Sequence, residues 1–407
     1  MEISTKLSKI NFKCFLWHAI FLALASSFMD VDTIIPSMLI KAGGNSVHLG
    51  FLTAIMLGGS SILQLIFAPL LAKKLLKLKY LLLGVNLRVI ALLSMSAMFF
   101  FSPGLKGDVI ILLIFIMISI FSFSGSYANV SYIDILGKSI KKERRKHFFS
   151  IKEIIRSLGT FSSAIIVRDL IKRFEYPENY SVLFLIAGIL LFVASIGFWN
   201  IKEIRSINPP ERNMIEFYKL IPGEIRKNKN LKYYLLVINT LGLGIGFLPF
   251  LILFAKENFD LSYKFIGNIL LFRITGMLIA GIVFYRLSKK INYKTLLIVA
   301  LIIGSMIPFL ALLLSNDQTY YQIIFILSGI FVSLFKISNN GILLEISTNE
   351  NRTIYAGIAG AGKIFTTIFP LLAGLLIFHV GFNVVFLIVS VVILLSFFFV
   401  KQLNCNP

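Results

Sequence analysis

The strongest constraint on this chain is a series of apolar stretches, each of about 20 residues, that recur along its whole length between short polar breaks. A helix needs roughly 20 apolar residues to cross the hydrocarbon core of a bilayer, so each stretch is a candidate membrane span. Runs such as LFLIAGILLFVASIGF are apolar on every face, whereas the strands of a membrane barrel alternate apolar and polar residues. The sequence therefore predicts an all-α integral membrane protein.

About twelve membrane spans are predicted on this length criterion. Only 14% of the residues are charged and 57% are hydrophobic, whereas roughly a quarter of a soluble domain is charged. An even number of spans places both termini on the same side of the membrane. The approximate bounds are 14–39, 48–72, 79–101, 109–136, 148–171, 180–200, 232–255, 262–286, 294–314, 320–346, 354–379 and 382–400.

Basic residues are distributed unevenly between the two sides of the predicted membrane. The net charge is +21, and the basic runs AKKLLKLK, GKSIKKERRKH, 202–232 and RLSKKINYK all fall on the side of the N-terminus. The opposite loops SPGLKGD, KRFEYPEN and KENFDLSYK balance Lys and Arg with acids. Because cytoplasmic loops carry the excess of Lys and Arg, both termini are predicted to be cytoplasmic in a multi-pass protein of the cytoplasmic membrane. The lipid bilayer accounts for the charge, and nucleic acid is not an expected partner.

The ends of the chain indicate neither a cleaved signal nor a redox site. The first span is too long and too charged for a signal peptide, so it is expected to be a permanent helix. The only two cysteines, Cys14 and Cys405, lie near opposite ends of the chain on the reducing side. We therefore expect no disulfide, no metal site and no cofactor.

The longest polar break divides the spans into six and six. The predicted domains are an N-terminal bundle at 1–200, a cytoplasmic linker at 201–231 and a C-terminal bundle at 232–407. Within the linker, MIEFYKLI has the alternation of a short helix on the membrane surface. The halves align weakly through their loops, with Gly281 over Ala68 and Asp134 over Glu345, which indicates two pseudo-symmetric halves.

With twelve spans, a long central loop and a repeated basic loop, nearly the whole chain resembles the major facilitator superfamily. The loop motif of that family runs roughly Gly-x-Leu-x-Asp-Arg-x-Gly-Arg-Arg, and Gly281, Arg286, Lys289 and Lys290 match it. Tyr285 stands in place of the aspartate, and Ala72 replaces it in the first copy. The resemblance implies transport by alternating access, with a solute site between two six-helix halves near the middle of the membrane.

The segment GIAGAGK, 357–363, matches the start of a phosphate-binding loop, but nucleotide binding is rejected. That loop requires a preceding strand and a Ser or Thr after the lysine, whereas Ile364 follows here and the stretch lies inside an apolar span. Its glycines favour close helix packing or a bend in span 11.

Charged residues inside the spans are the main candidates for function, because burying an ionised side chain in hydrocarbon costs several kcal/mol unless it faces protein or water. Superposing Arg145 on Arg352 places Arg156 over Lys363, each at roughly 12 to 16 Å from the cytoplasmic edge. The charged positions are Asp30, Asp32, Arg88, Lys152, Glu153, Arg156, Arg273, Lys336 and Lys363.

The resemblance implies that spans 5, 8, 10 and 11 line the central cavity and that span 3 lies outside it. Arg156, Arg273, Lys336 and Lys363 are then predicted to converge on one wet cavity and bind the solute, while Arg88 has a structural role. The alternative is that each pairs with an acid and only holds the helices together. Glu153, which is otherwise predicted to take part in proton coupling, could pair with Arg156 in this way.

Further polar positions complete the predicted site. Asn129 and Asn340 superpose when the halves are aligned, and they suit either solute binding or an interhelical hydrogen bond. Acidic and basic residues at the cytoplasmic ends of the helices are predicted to form gate or stability salt bridges: Asp134, Arg145, Arg286, Glu345 and Arg352.

Asp30 and Asp32 lie in the outer third of span 1. Residues two apart on a continuous helix point about 200° apart, so both carboxylates cannot face one cavity. Pro36 removes a backbone donor and is predicted to bend the helix. One aspartate is predicted to meet the outer water, and Asp30 is the better candidate for a protonatable coupling group. The alternative is a solvated helix end.

The sequence thus favours a secondary active transporter that moves a small organic solute, anionic in the preferred interpretation, with proton coupling and a monomeric state. Multidrug efflux is the alternative within transport, because the aromatic fraction is 14%. A membrane scaffold or a membrane-embedded enzyme is the alternative from another class. The four histidines, His18, His48, His147 and His379, are scattered near helix ends, so an enzyme is not predicted.

Overall fold

The computed structural model describes residues 5–72, 74–102, 104–204, 214–259, 261–287, 291–347, 355, 358–360 and 362–404. Every regular element in these ranges is a helix. The N-terminal helices are α1 (Thr5–Ser26), α2 (Ile34–Lys41), α3 (Ser46–Ala72), α4 (Leu78–Phe100), α5 (Gly107–Ser139), α6 (Lys142–Arg173) and α7 (Glu178–Trp199). The later helices are α8 (Met214–Lys227), α9 (Lys229–Thr240), α10 (Leu243–Phe247), α11 (Phe250–Asn258), α12 (Tyr263–Leu287), α13 (Tyr293–Leu313), α14 (Gln318–Ile346) and α15 (Ile364–Lys401).

The helices have the lengths that membrane spans require. In the described parts of the chain, nine helical segments are long and apolar enough to cross a bilayer. Helices α3 and α6, of 27 and 32 residues, are also long enough, although α6 is rich in charge. Helix α15 has 38 residues and contains Gly381, whose φ of 80° and ψ of 174° are not helical. Since only glycine adopts this conformation readily, Gly381 separates the last two spans, and the whole agrees with twelve.

Span 1 is not one helix. A short 3-10 helix, Ser27–Met29, follows α1, Asp30 is extended at its end, and α2 begins only at Ile34. The prediction that Asp30 and Asp32 lie 200° apart on a continuous helix is therefore wrong. Pro36 is not at the bend either. It is the third residue of α2, where a backbone N–H has no intrahelical partner to lose.

Span 7 is broken in the same manner as span 1. Helices α9, α10 and α11 are separated at Leu241–Gly242 and at Leu248–Pro249. Pro249 precedes α11 as its N-cap residue, a place that suits its fixed φ and missing donor. The first span of each half thus has a discontinuous backbone.

A repeated hydrogen bond supports the internal pseudo-symmetry. The Ser181 hydroxyl on α7 donates to the Ser96 carbonyl on α4 at 2.8 Å. In the second half, the Ser390 hydroxyl on α15 donates to the Ser305 carbonyl on α13 at 2.9 Å. Both pairs are 85 residues apart in the chain and join the third and sixth spans of their half. The two halves therefore use the same polar contact at equivalent places.

The chain forms two compact units: 1–30, 41–43 and 62–212 in the first, and 31–40, 44–61 and 213–407 in the second. In the first unit α4 packs on α5 and α7, while α1 packs on α6 and α7. The Trp17 indole donates to the Val193 carbonyl at 2.8 Å and fastens α1 to α7. Residues 31–40 and 44–61, which precede the linker in sequence, belong to the same unit as the C-terminal helices.

In the second unit, α12 crosses α14 at two glycines. A Cβ atom on Gly276 would lie 2.0 Å from the Ile326 carbonyl oxygen, and one on Gly329 would lie 1.9 Å from the Arg273 carbonyl oxygen. Any side chain at either position would force the backbones apart, so this crossing is possible only with glycine. The close approach fixes the segment of α12 that carries Arg273.

Candidate functional site

In the second unit, Asp32 and Arg273 form a buried ion pair. Asp32 lies in the turn between the 3-10 helix and α2, and Arg273 lies near the middle of α12. The Arg273 Nη2 atom contacts the Asp32 Oδ2 atom, and the two side chains are 7% and 12% exposed. Two charges removed from water in this way are stable only when they are paired with good geometry. A residue predicted to couple protons and one predicted to bind solute are thus brought together.

Lys363 occupies a break in span 11. The carbonyl of Ile358 accepts from the Gly362 amide at 2.7 Å, Lys363 is the N-cap residue of α15, and its side chain is partly buried. The break lies where the sequence predicted a bend.

Asn239 of α9 bridges this break. Its amide nitrogen donates to the Gly362 carbonyl at 2.6 Å, and its amide oxygen accepts from the Phe365 backbone N–H at 3.0 Å. One side chain therefore satisfies backbone groups on both sides of Lys363 that the broken helix leaves unpaired. Sequence reasoning missed Asn239; an amide on the first span of the second half was the only available signal.

The other predicted residues of the second unit are exposed. Lys336 and Asn340 lie one turn apart on α14, and both side chains are accessible. Arg286, in the last turn of α12, and Glu345, near the end of α14, are exposed as well. Arg352, predicted as a gate residue, lies outside the described residues.

Predicted residues of the first unit lie on α5 and α6. Arg156 is partly buried on α6, and Asn129 is partly buried on α5. The side chains of Glu153 and Arg145 are outside what the structure describes, so their predicted roles stay predictions. Because Arg156 belongs to the first unit and Lys363 to the second, their predicted convergence also stays a prediction.

Lys152 of α6 is held by Tyr132 of α5. Its ammonium donates to the Tyr132 hydroxyl at 3.3 Å and lies 5.0 Å from the centre of the same ring. The His18 ring of α1 stacks on Phe198 at 4.0 Å between centroids, and its Nδ1 atom lies 3.3 Å from the Ala194 carbonyl oxygen. The sequence had indicated that His18 lies near a helix end. In the structure its imidazole is buried among helices, within α1.

Asp134 forms the predicted salt bridges at one end of α5. Its carboxylate accepts from Lys77 at 2.9 Å and also contacts Lys138, four residues further along. Glu203 adds a contact that the sequence did not reveal: its two oxygens accept from the backbone N–H groups of Lys77 and Leu78 at 2.6 and 2.7 Å. A carboxylate therefore caps the N-terminus of α4, where the helix dipole favours negative charge.

The fold of the chain is similar to the folds of solved membrane transporters. A mutant of the nucleoside transporter NupG has a TM-score of 0.69 at 14% identity, and the match covers 96% of this chain and 100% of that one. A bacterial homologue of the human lysosomal transporter Spinster, inward-facing and unoccupied, has a TM-score of 0.68 at 11% identity over 100% of both chains. A POT family transporter in complex with a thioalcohol-conjugated peptide has a TM-score of 0.65 at 13% identity, covering 97% of this chain and 96% of that chain.

The family match lies in the second half of the chain. No curated protein matches the sequence. Residues 233–403 match the family model described as the Major Facilitator Superfamily, and the solved transporters share the fold over nearly the whole length of the chain. The C-terminal half of the chain thus matches the family model, and the whole chain shares its fold with the solved transporters.

Proposed function

We propose that this protein is a membrane transporter, that it moves a small organic anion by alternating access, and that an inward proton gradient drives the movement. The observation that carries the proposal is the excess of basic over acidic side chains within the membrane spans. Lys152 and Arg156 lie on α6 and Lys363 lies at the break before α15, whereas the described carboxylates at comparable positions are Asp30 and Asp32. Embedded charges in membrane proteins usually mark the path of a substrate or an ion.

The Asp32–Arg273 pair removes one basic residue from this excess of positive charge. Arg273 is neutralised within the second unit by Asp32, so it contributes little net charge to a solute. Lys363 is left beside the N-terminus of α15, where the helix dipole adds to its positive potential. An anionic group is therefore the favoured partner for Lys363, while a cationic drug would be repelled. This charge argues against efflux of cationic amphiphiles.

The similar structures are of a nucleoside transporter and of a transporter in complex with a conjugated peptide. Because these two compounds differ in chemistry, they suggest only a size range for the solute of this chain. The basic loops indicate cytoplasmic termini, which fits a protein of the cytoplasmic membrane. The proposed direction of transport is uptake. Asp30 is proposed as the proton carrier because it is a carboxylate within a predicted span, whereas the neighbouring Asp32 is engaged in the ion pair with Arg273.

The test is flux in proteoliposomes. Purified protein is reconstituted, a pH gradient is imposed, and accumulation is measured for matched anionic, neutral and cationic solutes of nucleoside to dipeptide size. We expect gradient-dependent accumulation of an anion, which Lys363→Gln weakens at least tenfold, or about 1.4 kcal/mol. Lys336→Gln is compared in the same way. Accumulation of cations alone, or flux that ignores the proton gradient in every case, contradicts the proposal.

A further inference from the structure

The first unit contains a partly buried arginine inside a membrane span, and no carboxylate pairs with it in the part of the chain that the structure describes. Arg88 lies on α4, ten residues after Leu78 and so about 15 Å from that end of the helix. Its guanidinium lies 4.3 Å from the centre of the Phe121 ring on α5. The Nε atom is fully buried and makes no hydrogen bond.

Arg88 points into the helix bundle and not into lipid. The lipid-facing side of α4 carries Leu83 and Ile90, which are 51% and 56% exposed. Arg88 is two residues before Ile90 and therefore about 200° away around the helix. Gly125 of α5 makes room for it, since a Cβ atom there would lie 3.4 Å from the Arg88 Nε atom.

A second cation lies along the same face of α5. Tyr132 is seven residues after Gly125, so it lies on the same side of that helix and about 10 Å further along. Its hydroxyl accepts from the Lys152 ammonium at 3.3 Å, and its ring centre lies 6.2 Å from that of His18. Helices α1, α4, α5 and α6 thus each contribute one residue to the Arg88 cluster, in which Arg88 and Lys152 carry the positive charge: His18, Arg88, Tyr132 and Lys152.

This cluster has the chemistry of an oxyanion site. An arginine buried in a membrane protein without a carboxylate is expensive, and cation–π contact with Phe121 compensates only in part. The terminal nitrogens of Arg88 are not among the fully buried atoms without a partner, and the residue as a whole is only partly buried. Their two parallel N–H groups match the two oxygens of a carboxylate.

We propose that the Arg88 cluster binds the carboxylate group of a small organic acid, with Arg88 as its bidentate partner. The site lies in the first unit, whereas Lys363 belongs to the second. That the bound acid is also the transported solute rests on the proposed function, whereas binding itself does not.

Binding is measured on purified full-length protein in detergent. Acetate, succinate and benzoate are each compared with acetamide, succinamide and benzamide, which keep the shape and lack the charge. A ligand that binds only the folded protein raises its apparent stability. We expect at least one carboxylate to raise the melting temperature while its amide does not, and Arg88→Gln to abolish the increase.

Two more variants separate the site from general effects. Arg88→Lys keeps the charge and the fold but lacks the planar fork, so affinity is expected to fall at least tenfold. Arg168→Gln is the matched control, because the Arg168 Nε atom is also buried without a partner but lies near the end of α6, outside the cluster. Full binding in Arg88→Lys and Arg88→Gln overturns the proposal, as does a wild-type protein that no carboxylate stabilises.

Flux distinguishes this proposal from the proposed function. If carboxylates bind and depend on Arg88 but no solute accumulates in proteoliposomes, the site stands and the transport proposal fails. If carboxylates bind through Arg88 but an anion accumulates equally well in wild type and Arg88→Lys, both the site and transport stand, and the bound acid is not the transported solute.

Discussion

Asp32 and Arg273 are 241 residues apart in the chain and form a buried ion pair in the second unit. Asp32 comes from the discontinuous part of span 1, and Arg273 comes from α12 at its close crossing with α14. The contact thus joins a turn to the segment of α12 that this crossing fixes. The contribution of this ion pair to the free energy of unfolding can be measured directly.

The first prediction concerns loss of one partner. Asp32→Asn leaves a guanidinium buried without a countercharge, so the free energy of unfolding should fall by about 3 kcal/mol. Removing both charges with Asp32→Leu and Arg273→Met should recover most of this loss, because apolar side chains need no desolvation. Unfolding in mixed micelles measures all three variants.

Asp30→Asn is the control for this cycle. This substitution removes a carboxylate two residues away while both members of the Asp32–Arg273 pair remain, so the coupling between positions 32 and 273 should be unchanged. A double variant no more stable than Asp32→Asn would show that the pair is not the source of the effect.

The second prediction tests the glycine crossing of α12 and α14. Gly329→Ala should destabilise the protein by about 2 kcal/mol or more, since its Cβ would lie 1.9 Å from the Arg273 carbonyl oxygen. Gly281→Ala, on the same helix α12, has nothing within 4 Å of its Cβ and should be neutral or slightly stabilising. Thermal unfolding compares the two, and equal effects would contradict the tight crossing.

The third prediction tests the amide that bridges the break before α15. Asn239→Ala removes the bonds to Gly362 and Phe365 and should cost about 1 to 3 kcal/mol, because backbone groups inside a membrane span are left unpaired. Faster hydrogen exchange at the Phe365 amide is the specific readout. Asn200→Ala, which removes only a bond to the Ile196 carbonyl on its own helix, is the control and should leave that exchange rate unchanged.

The spans were predictable because lipid requires apolar residues on every face of a helix, and that requirement is visible in one sequence. The span predicted at 180–200 is α7, Glu178–Trp199. Breaks inside the spans were harder. At Leu241–Gly242 the chain stays apolar, and at residues 30–33 two aspartates are averaged with long apolar flanks, so hydropathy does not register the change in backbone direction.

Contacts between charges could not be predicted from the sequence for a different reason. The position of Arg273 inside a span shows that it needs a partner, but a sequence does not say which of several carboxylates lies beside it. Arg88 was assigned a structural role because its span lies on the outside of the bundle. The direction of its side chain, inward past Gly125, depends on packing that only the structure reveals.

The last prediction concerns Glu203, whose carboxylate caps α4 by accepting from the Lys77 and Leu78 backbone N–H groups at 2.6 and 2.7 Å. Glu203→Gln keeps the length of the side chain but removes its charge. Its interaction with the α4 dipole and its hydrogen bonds to the Lys77 and Leu78 amides should then be weaker by about 1 kcal/mol. The amides of Lys77 and Leu78 should then exchange hydrogen faster, while those of the middle of α4 should not. The Lys77 side chain binds Asp134 at 2.9 Å, so the same loop is held from two sides, and Glu203→Gln combined with Asp134→Asn should cost more than the sum of the single changes. Glu178→Gln in the first turn of α7 is the control, since it removes the same charge at the end of α7 opposite to the one that Glu203 follows. Unchanged exchange at both amides in Glu203→Gln would mean that the bonds to Glu203 do not stabilise the start of α4.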